Sequence, residues 1–403
     1  MGPFGGEQSR EDRMTTRSWT LIGDKPDAAL DGFHLGPGDV GGAPPGFSIM
    51  GRVLPSGLGR GVQTLQIANG RFALTILPTR GMGIWKAWLG DEFPLGWNSP
   101  VRGPVHPALV PLMEPSGLGW LDGFDELLCR CGLVSNGAPE FDDLGRLQYP
   151  LHGRIANRPA DEVRVEIDEE AGEICVTGVV EETRFLFHQL RLTSVFRTRW
   201  HEAGVRIHDQ VQNCSARPGQ MQLLYHVNFG RPLLEAGARV LAPVRQLVPR
   251  TARAAEGIAA WDRYQAPQAG FEEEVYFLQL AADRDGRTRT MLHNAQATRG
   301  VSLRFSAEQL PCFSLWKNTA AEADGCVTGL EPGTNYPNPR RFEAQQGRVV
   351  SLEPGARRDF GLALEVHATA EEVSQAAADV ARLQAGIAPQ VFPHPQPGWC
   401  AGA

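Results

Sequence analysis

From residue 163 onward, apolar and polar residues alternate along much of the chain. Val163, Val165 and Ile167 alternate with Arg164, Glu166 and Asp168, the pattern of a strand with one buried face. A turn at Glu170–Gly172 leads into Ile174–Val180. Gln189–Trp200 reads as a long strand that Ala203-Gly204 turns into a partner, Val205–Asn213. Such alternation with short turns predicts antiparallel pairing. Further strands are expected at 221–228, Val275–Leu280, Thr290–His293, Val301–Phe305, Cys312–Lys317, Thr328–Glu331, Arg348–Leu352 and Phe360–Val366. Before them, Phe72–Leu77 and Ile84–Leu89 flank the turn Pro78–Gly83. One helix is expected near 370–385: Thr369 and Glu372 have capping-box spacing, Val373, Val380 and Leu383 follow the helical period, and Gly386 stops it. The pattern predicts an all-β, mainly antiparallel protein with a short C-terminal helix. No fixed-period repeat supports a propeller or solenoid.

Residues 1–60 are rich in Gly and Pro and read as a partly irregular N-terminal extension. Residues 61–368 form the expected β body, and 369–403 the helix and a loose tail from Ile387. Gly36-Pro-Gly-Asp-Val-Gly41 formally matches a dinucleotide fingerprint. No strand precedes it and Pro follows where a helix should begin, so a surface loop is expected. Residues 90–150 form a long aromatic-rich stretch. Its Trp97, Trp120 and Phe124 either wall a sugar pocket or cover one end of a sheet.

The hydrophobic fraction of 42% and charged fraction of 21% fit a soluble globular chain. A net charge of −7 leaves no basic footprint for nucleic acid. No apolar run is long enough to cross a bilayer. Residues 1–14 lack the apolar segment of a signal peptide and read as a flexible leader, with Met14 a candidate start. The seven cysteines, an odd number, then read as reduced thiols in a cytoplasmic protein.

The candidate chemistry centres on Leu223–Pro232. As a strand, it puts Gln222, Leu224, His226 and Asn228 on one face and Leu223, Tyr225 and Val227 on the other. A polar face inside a sheet is either internally satisfied or open to a ligand. Glu331 follows a strand far along the chain, His152 and Arg154 lie on a loop, and Glu272–Glu274 form an acidic run. Arg80, in the Pro78–Gly83 turn, is either a substrate clamp or a surface charge. Cys129 and Cys131 lack the second pair a metal site needs. A histidine and a carboxylate on opposite sides of a pocket can serve as acid and base.

At these residues the sequence resembles the aldose 1-epimerase (galactose mutarotase) superfamily, and its DUF4432 branch in particular. Tyr225-His226-Val227-Asn228-Phe229-Gly230 is similar to the strand motif that carries the catalytic acid. Leu330-Glu331-Pro332 resembles the segment of the base, without its glutamine. Leu151-His152-Gly153 matches the segment of a substrate-binding histidine, and Gly270–Tyr276 resembles the segment of an acid that binds sugar hydroxyls. The early arginine motif has no counterpart before His152. Leu77–Met82 and Cys131–Leu133 look like the DUF4432 branch itself.

The resemblance implies a galactose-mutarotase-like supersandwich and a cofactor-free aldose 1-epimerase. His226 would be the acid and Glu331 the base, converging across one pocket with room for a sugar ring between them. His152, Arg154, Glu273 (chosen from Glu272–Glu274), Asn228 and Arg80 would bind substrate. The implied partner is a small sugar, with no nucleic acid, no membrane and an open oligomeric state. A non-catalytic sugar-binding protein, or an isomerase or lyase of an acidic sugar, are the alternative readings.

Overall fold

The computed structural model describes residues 16–402; the expected leader lies outside them. Two large, mainly antiparallel sheets face each other, one of nine strands and one of fourteen. The alternating strands behave as the pattern predicts. Val163, Val165 and Ile167 are buried, as are Ile174, Val176 and Val180, and these join residues of the other sheet in one core between the layers. Arg164, Glu166 and Asp168 turn outward. The two strands of the Phe72–Leu89 region pair antiparallel around the turn at Arg80. No helix among the described residues is long and apolar enough to cross a membrane, and all seven cysteines are free.

The C-terminal helix spans Ala370–Gln384. The Thr369 hydroxyl accepts from the Glu372 amide and the Glu372 carboxylate accepts from the Thr369 amide, so two otherwise orphaned donors are satisfied. Val373, Ala376 and Val380 form its buried stripe and pack on Met291 of the nine-stranded sheet.

Two expectations need correction. Residues 16–60 are not an appendage. Thr16–Ile22 pairs with Ala160–Asp168 in the nine-stranded sheet, while His34–Leu35 and Phe47–Val53 extend the other sheet. The tail after Ile387 is also anchored. Gln390–Val391 pairs in parallel with the Val244–Pro249 strand, Trp399 stacks on Tyr336 at 5.1 Å, and Cys400 is buried. Burial of two apolar side chains holds a segment whose composition alone reads as loose.

Gly219–Phe229 runs through the middle of the fourteen-stranded sheet, between Leu128–Leu133 and Val327–Gly333. Leu223, Tyr225 and Val227 point into the inter-sheet core. There the Tyr225 hydroxyl donates to Asp209 of the opposite sheet at 2.8 Å, and Arg130 donates to the same carboxylate at 2.9 Å. Arg130 also donates to the Ser194 hydroxyl at 2.7 Å. This buried network ties the two sheets together at the strand that carries His226. Asp209→Asn leaves the Arg130 charge uncompensated in the core, so it is expected to cost about 3–5 kcal/mol. A denaturant titration measures it; a midpoint unchanged from wild type would show that the network is not a structural tie.

Candidate functional site: a buried acid–base pair

The register that joins Gly219–Phe229 to Val327–Gly333 pairs Val227 with Leu330 and Asn228 with Gly329. The same register sets His226 directly opposite Glu331. On its other side His226 is paired with Cys129, and the strand beyond Glu331 pairs Ser314 with it. Cys129, His226, Glu331 and Ser314 therefore form one row across four strands. Their side chains share the face turned away from the other sheet.

His226 Nε2 lies 3.2 Å from Glu331 Oε1, and the two side chains are 6% and 3% exposed. The approach is close but not aligned as a hydrogen bond, and Glu331 Oε1 has no hydrogen-bond partner among the described residues. Gly329 makes room for this arrangement: a Cβ there would stand 2.4 Å from Glu331 Oε1 and 3.1 Å from the His226 ring. The expected space for a sugar ring between the two side chains is absent. The pair stands side by side.

The proton positions follow from the partners. Asn228 Nδ2 donates to the carbonyls of Glu126 and His226, at 3.0 and 3.2 Å, which turns Oδ1 toward His226 Nδ1 at 2.6 Å. An amide oxygen can only accept, so Nδ1 carries a proton and Nε2 faces the carboxyl. His152 follows the same rule: its Nδ1 donates to the Asn136 carbonyl at 3.0 Å, leaving Nε2 as an acceptor. Asn136 is itself held by a reciprocal amide pair with Asn335, at 2.9 and 2.7 Å.

Burial pushes the Glu331 carboxyl well up, an effect strengthened by nearby Glu273 and opposed by Arg250. Burial pushes His226 well down, and the neighbouring His152 adds to this. Burial likewise lowers His152 to about 4. Both shifts disfavour the charged forms of the pair.

Aromatic rings enclose the pair. Phe124 lies 5.1 Å from the His226 ring, Trp316 5.4 Å and Trp120 6.1 Å, with His152 5.3 Å away. Trp97 packs on Phe124 at 4.9 Å. The rings of the 90–150 stretch are buried in one cluster with Cys129, Cys131 and Leu224, on the sheet face that carries His226. Glu273 stands at its edge, half exposed, accepting from Trp316 Nε1 at 2.7 Å. Glu274 turns to the opposite face, where it pairs with Arg253 at 3.0 Å and Lys317 at 3.6 Å.

Three expected substrate contacts are engaged within the protein or lie elsewhere. Arg80 is neither clamp nor surface charge. It is buried, ion-paired with Glu126, and donates to the Val105 and Gly123 carbonyls and Asn157 Oδ1 at 2.8–2.9 Å. It braces the wall that carries Trp120 and Phe124. Asn228 spends its amide on orienting His226. Arg154 does not reach the pair. His152 and Gly153 take left-handed conformations, φ 56° and 74°, so the chain reverses and Arg154 joins a separate cleft with Glu182, Arg184 and His188. No side chain fits at Gly153, where a Cβ would meet the Ser135 carbonyl at 1.9 Å. Trp316, Ser314, Arg250 and Gly329 were not singled out from sequence. Only the strand order places them, and no local motif signals it.

The His152 shift predicts acid sensitivity. Its folded value of about 4 lies below the ordinary 6.5, so the folded chain prefers the neutral ring. That share of stability is complete above 6.5 and is lost as pH falls toward 4. His152→Asn should flatten the fall in Tm across this window. An unchanged acid slope in thermal unfolding at stepped pH would refute it.

Residues 59–366 match the family described as a domain of unknown function, DUF4432. A solved structure from Klebsiella pneumoniae, provisionally described as an aldose 1-epimerase, superimposes with a TM-score of 0.89 at 34% identity, over 95% of this chain and 99% of its own. A galactose mutarotase-like protein from Clostridium acetobutylicum gives 0.55 at 14% identity, over 80% and 99% of the two chains. The galactose 1-epimerase of Lactobacillus acidophilus gives 0.52 at 12%, with the same coverage. At those identities the likeness is one of fold. No curated protein matches the sequence. A family match across most of the β body, on two facing antiparallel sheets, makes the chain a member of the DUF4432 family with the galactose mutarotase-like fold.

Proposed function

We propose that this protein is a carbohydrate isomerase, an aldose 1-epimerase that interconverts the anomers of a free sugar. One observation carries the reading: a histidine and a glutamate in direct contact, buried, with the glutamate's Oε1 unpartnered and aromatic rings around them. A buried polar atom normally finds a partner, so the unused carboxylate oxygen supports a ligand-facing role.

In the productive state the single proton of the pair sits on His226 Nε2 and Glu331 is ionised. Glu331 takes the proton of the anomeric hydroxyl. The electron pair of that O–H bond forms the C1=O1 double bond. The C1–O5 bond breaks toward O5, which takes the proton from Nε2. The aldehyde rotates about C1–C2 and closes on its other face as both protons return. After ring opening the pair is Glu331–H and neutral His226, the state that burial favours. The low-polarity setting therefore favours the pair's protonation state when the aldehyde is open, and narrows the gap between open and closed sugar. His152 Nε2 accepts from a sugar hydroxyl, and Glu273 binds one at the mouth.

Arg250 favours including acidic sugars. Its nearest carboxylate is Glu273 at 4.0 Å, and its charge reaches both His152 and Glu331. An arginine with unspent donors matches a sugar carboxylate.

Exchange NMR over a panel of free aldoses and sugar acids tests the proposal. Accelerated anomer exchange of at least one is expected, and exchange at the buffer rate throughout overturns it. Glu331→Gln and His226→Asn should each lower kcat by roughly two to four orders of magnitude, and the double variant should be little worse. His152→Asn should raise KM more than it lowers kcat, since it removes a binding contact. A collapse of kcat at constant KM would instead make His152 a proton carrier.

A further inference from the structure

Ser314 occupies the end of the row Cys129–His226–Glu331–Ser314, directly opposite the glutamate. It is 1% exposed, and its hydroxyl has no hydrogen-bond partner among the described residues. A buried hydroxyl on the interior of a strand normally finds a carbonyl or a side chain. Here the position across the ladder holds a second unpartnered polar atom, Glu331 Oε1. Strand geometry puts the two side chains on one face, as direct cross-strand neighbours. The next strand puts Phe277 on the far side of Ser314, so no other polar neighbour is supplied across the ladder there.

We infer that Ser314 contacts the substrate, its hydroxyl holding the anomeric oxygen in place while Glu331 takes that oxygen's proton. The inference rests on the mutarotase reading of the site. One sugar hydroxyl can satisfy both orphans at once, accepting from Ser314 and donating to Glu331. A C–H group or an ether oxygen cannot do both. As the proton leaves, O1 gains negative charge before the C1=O1 bond is complete, and the Ser314 O–H is placed to oppose it. A position in the middle of a paired strand keeps this donor fixed.

The test compares Ser314→Ala with wild type on two ligand pairs: galactose with 1,5-anhydrogalactitol, and glucose with 1,5-anhydroglucitol. The anhydro compounds lack the anomeric hydroxyl. Wild type should bind at least one parent sugar roughly tenfold tighter than its anhydro partner, the worth of a hydrogen bond at a charged group. Ser314→Ala should lose most of that preference without weakening the anhydro ligand. Its kcat for anomer exchange should fall roughly a hundred- to a thousandfold. Tm should hold or rise, because an unpaired buried hydroxyl is removed. Ser314→Cys, which keeps the volume and weakens the donor, should move both readouts in the same direction.

Equal losses for parent and anhydro ligands, or an unchanged preference, would overturn the assignment of Ser314 alone. A lowered Tm in both variants would mark the serine as structural. If wild type binds no sugar of either pair and exchanges none in the wider panel, the mutarotase reading falls and this inference with it.

Discussion

The antiparallel register between Gly219–Phe229 and Val327–Gly333 sets every other property of the site. Side chains on a strand alternate, so a slip of one residue would turn His226 and Glu331 to different faces. The register is held from the reverse side. Tyr225, next to His226, reaches Asp209 in the opposite sheet, and Arg130, next to Cys129, reaches the same carboxylate. One face of these strands is locked by charge and hydrogen bonds. The other is thereby free to leave Glu331 and Ser314 unsatisfied. The buried ion pair fixes geometry, the role in which such pairs have their best-attested use.

The walls depend on the same economy of charge. Arg80 and Glu126 neutralise each other behind the site, and their hydrogen bonds reach the backbone at Val105 and Gly123. Trp120 and Phe124 are thus presented by a braced loop. Inside that enclosure both histidines give their Nδ1 proton to a fixed oxygen, one from an asparagine amide and one from the backbone. The imidazoles cannot turn without breaking these contacts, and His226 Nε2 is thereby held toward Glu331.

Period-two alternation made the fold legible, because each strand buries one face against one core. His226, Glu331 and His152 were legible because short motifs surround them. The rest depends on tertiary placement. Arg80 could be read as a clamp or a surface charge, since nothing local announces four buried acceptors around a turn. Arg154 follows His152 by two residues and was taken for its companion, but a left-handed pair at 152–153 sends it to another cleft. Ser314 and Trp316 sit in an ordinary strand, and only the neighbour across the ladder gives them meaning. Strands in the first sixty residues were hidden by dense Gly and Pro between short apolar pieces.

Those early strands bear on where the family's boundary lies. The matched region begins at residue 59, yet Thr16–Ile22 closes the edge of one sheet, and Phe47–Val53 covers the Gln63–Asn69 strand of the other. A chain trimmed to the matched region would expose two rows of unpaired backbone donors and acceptors at once. Open edges of that kind recruit strands from other molecules. Solubility of the shortened chain would fail before the buried His226–Glu331 pair was disturbed, so the unit that folds is larger than the region the family match covers.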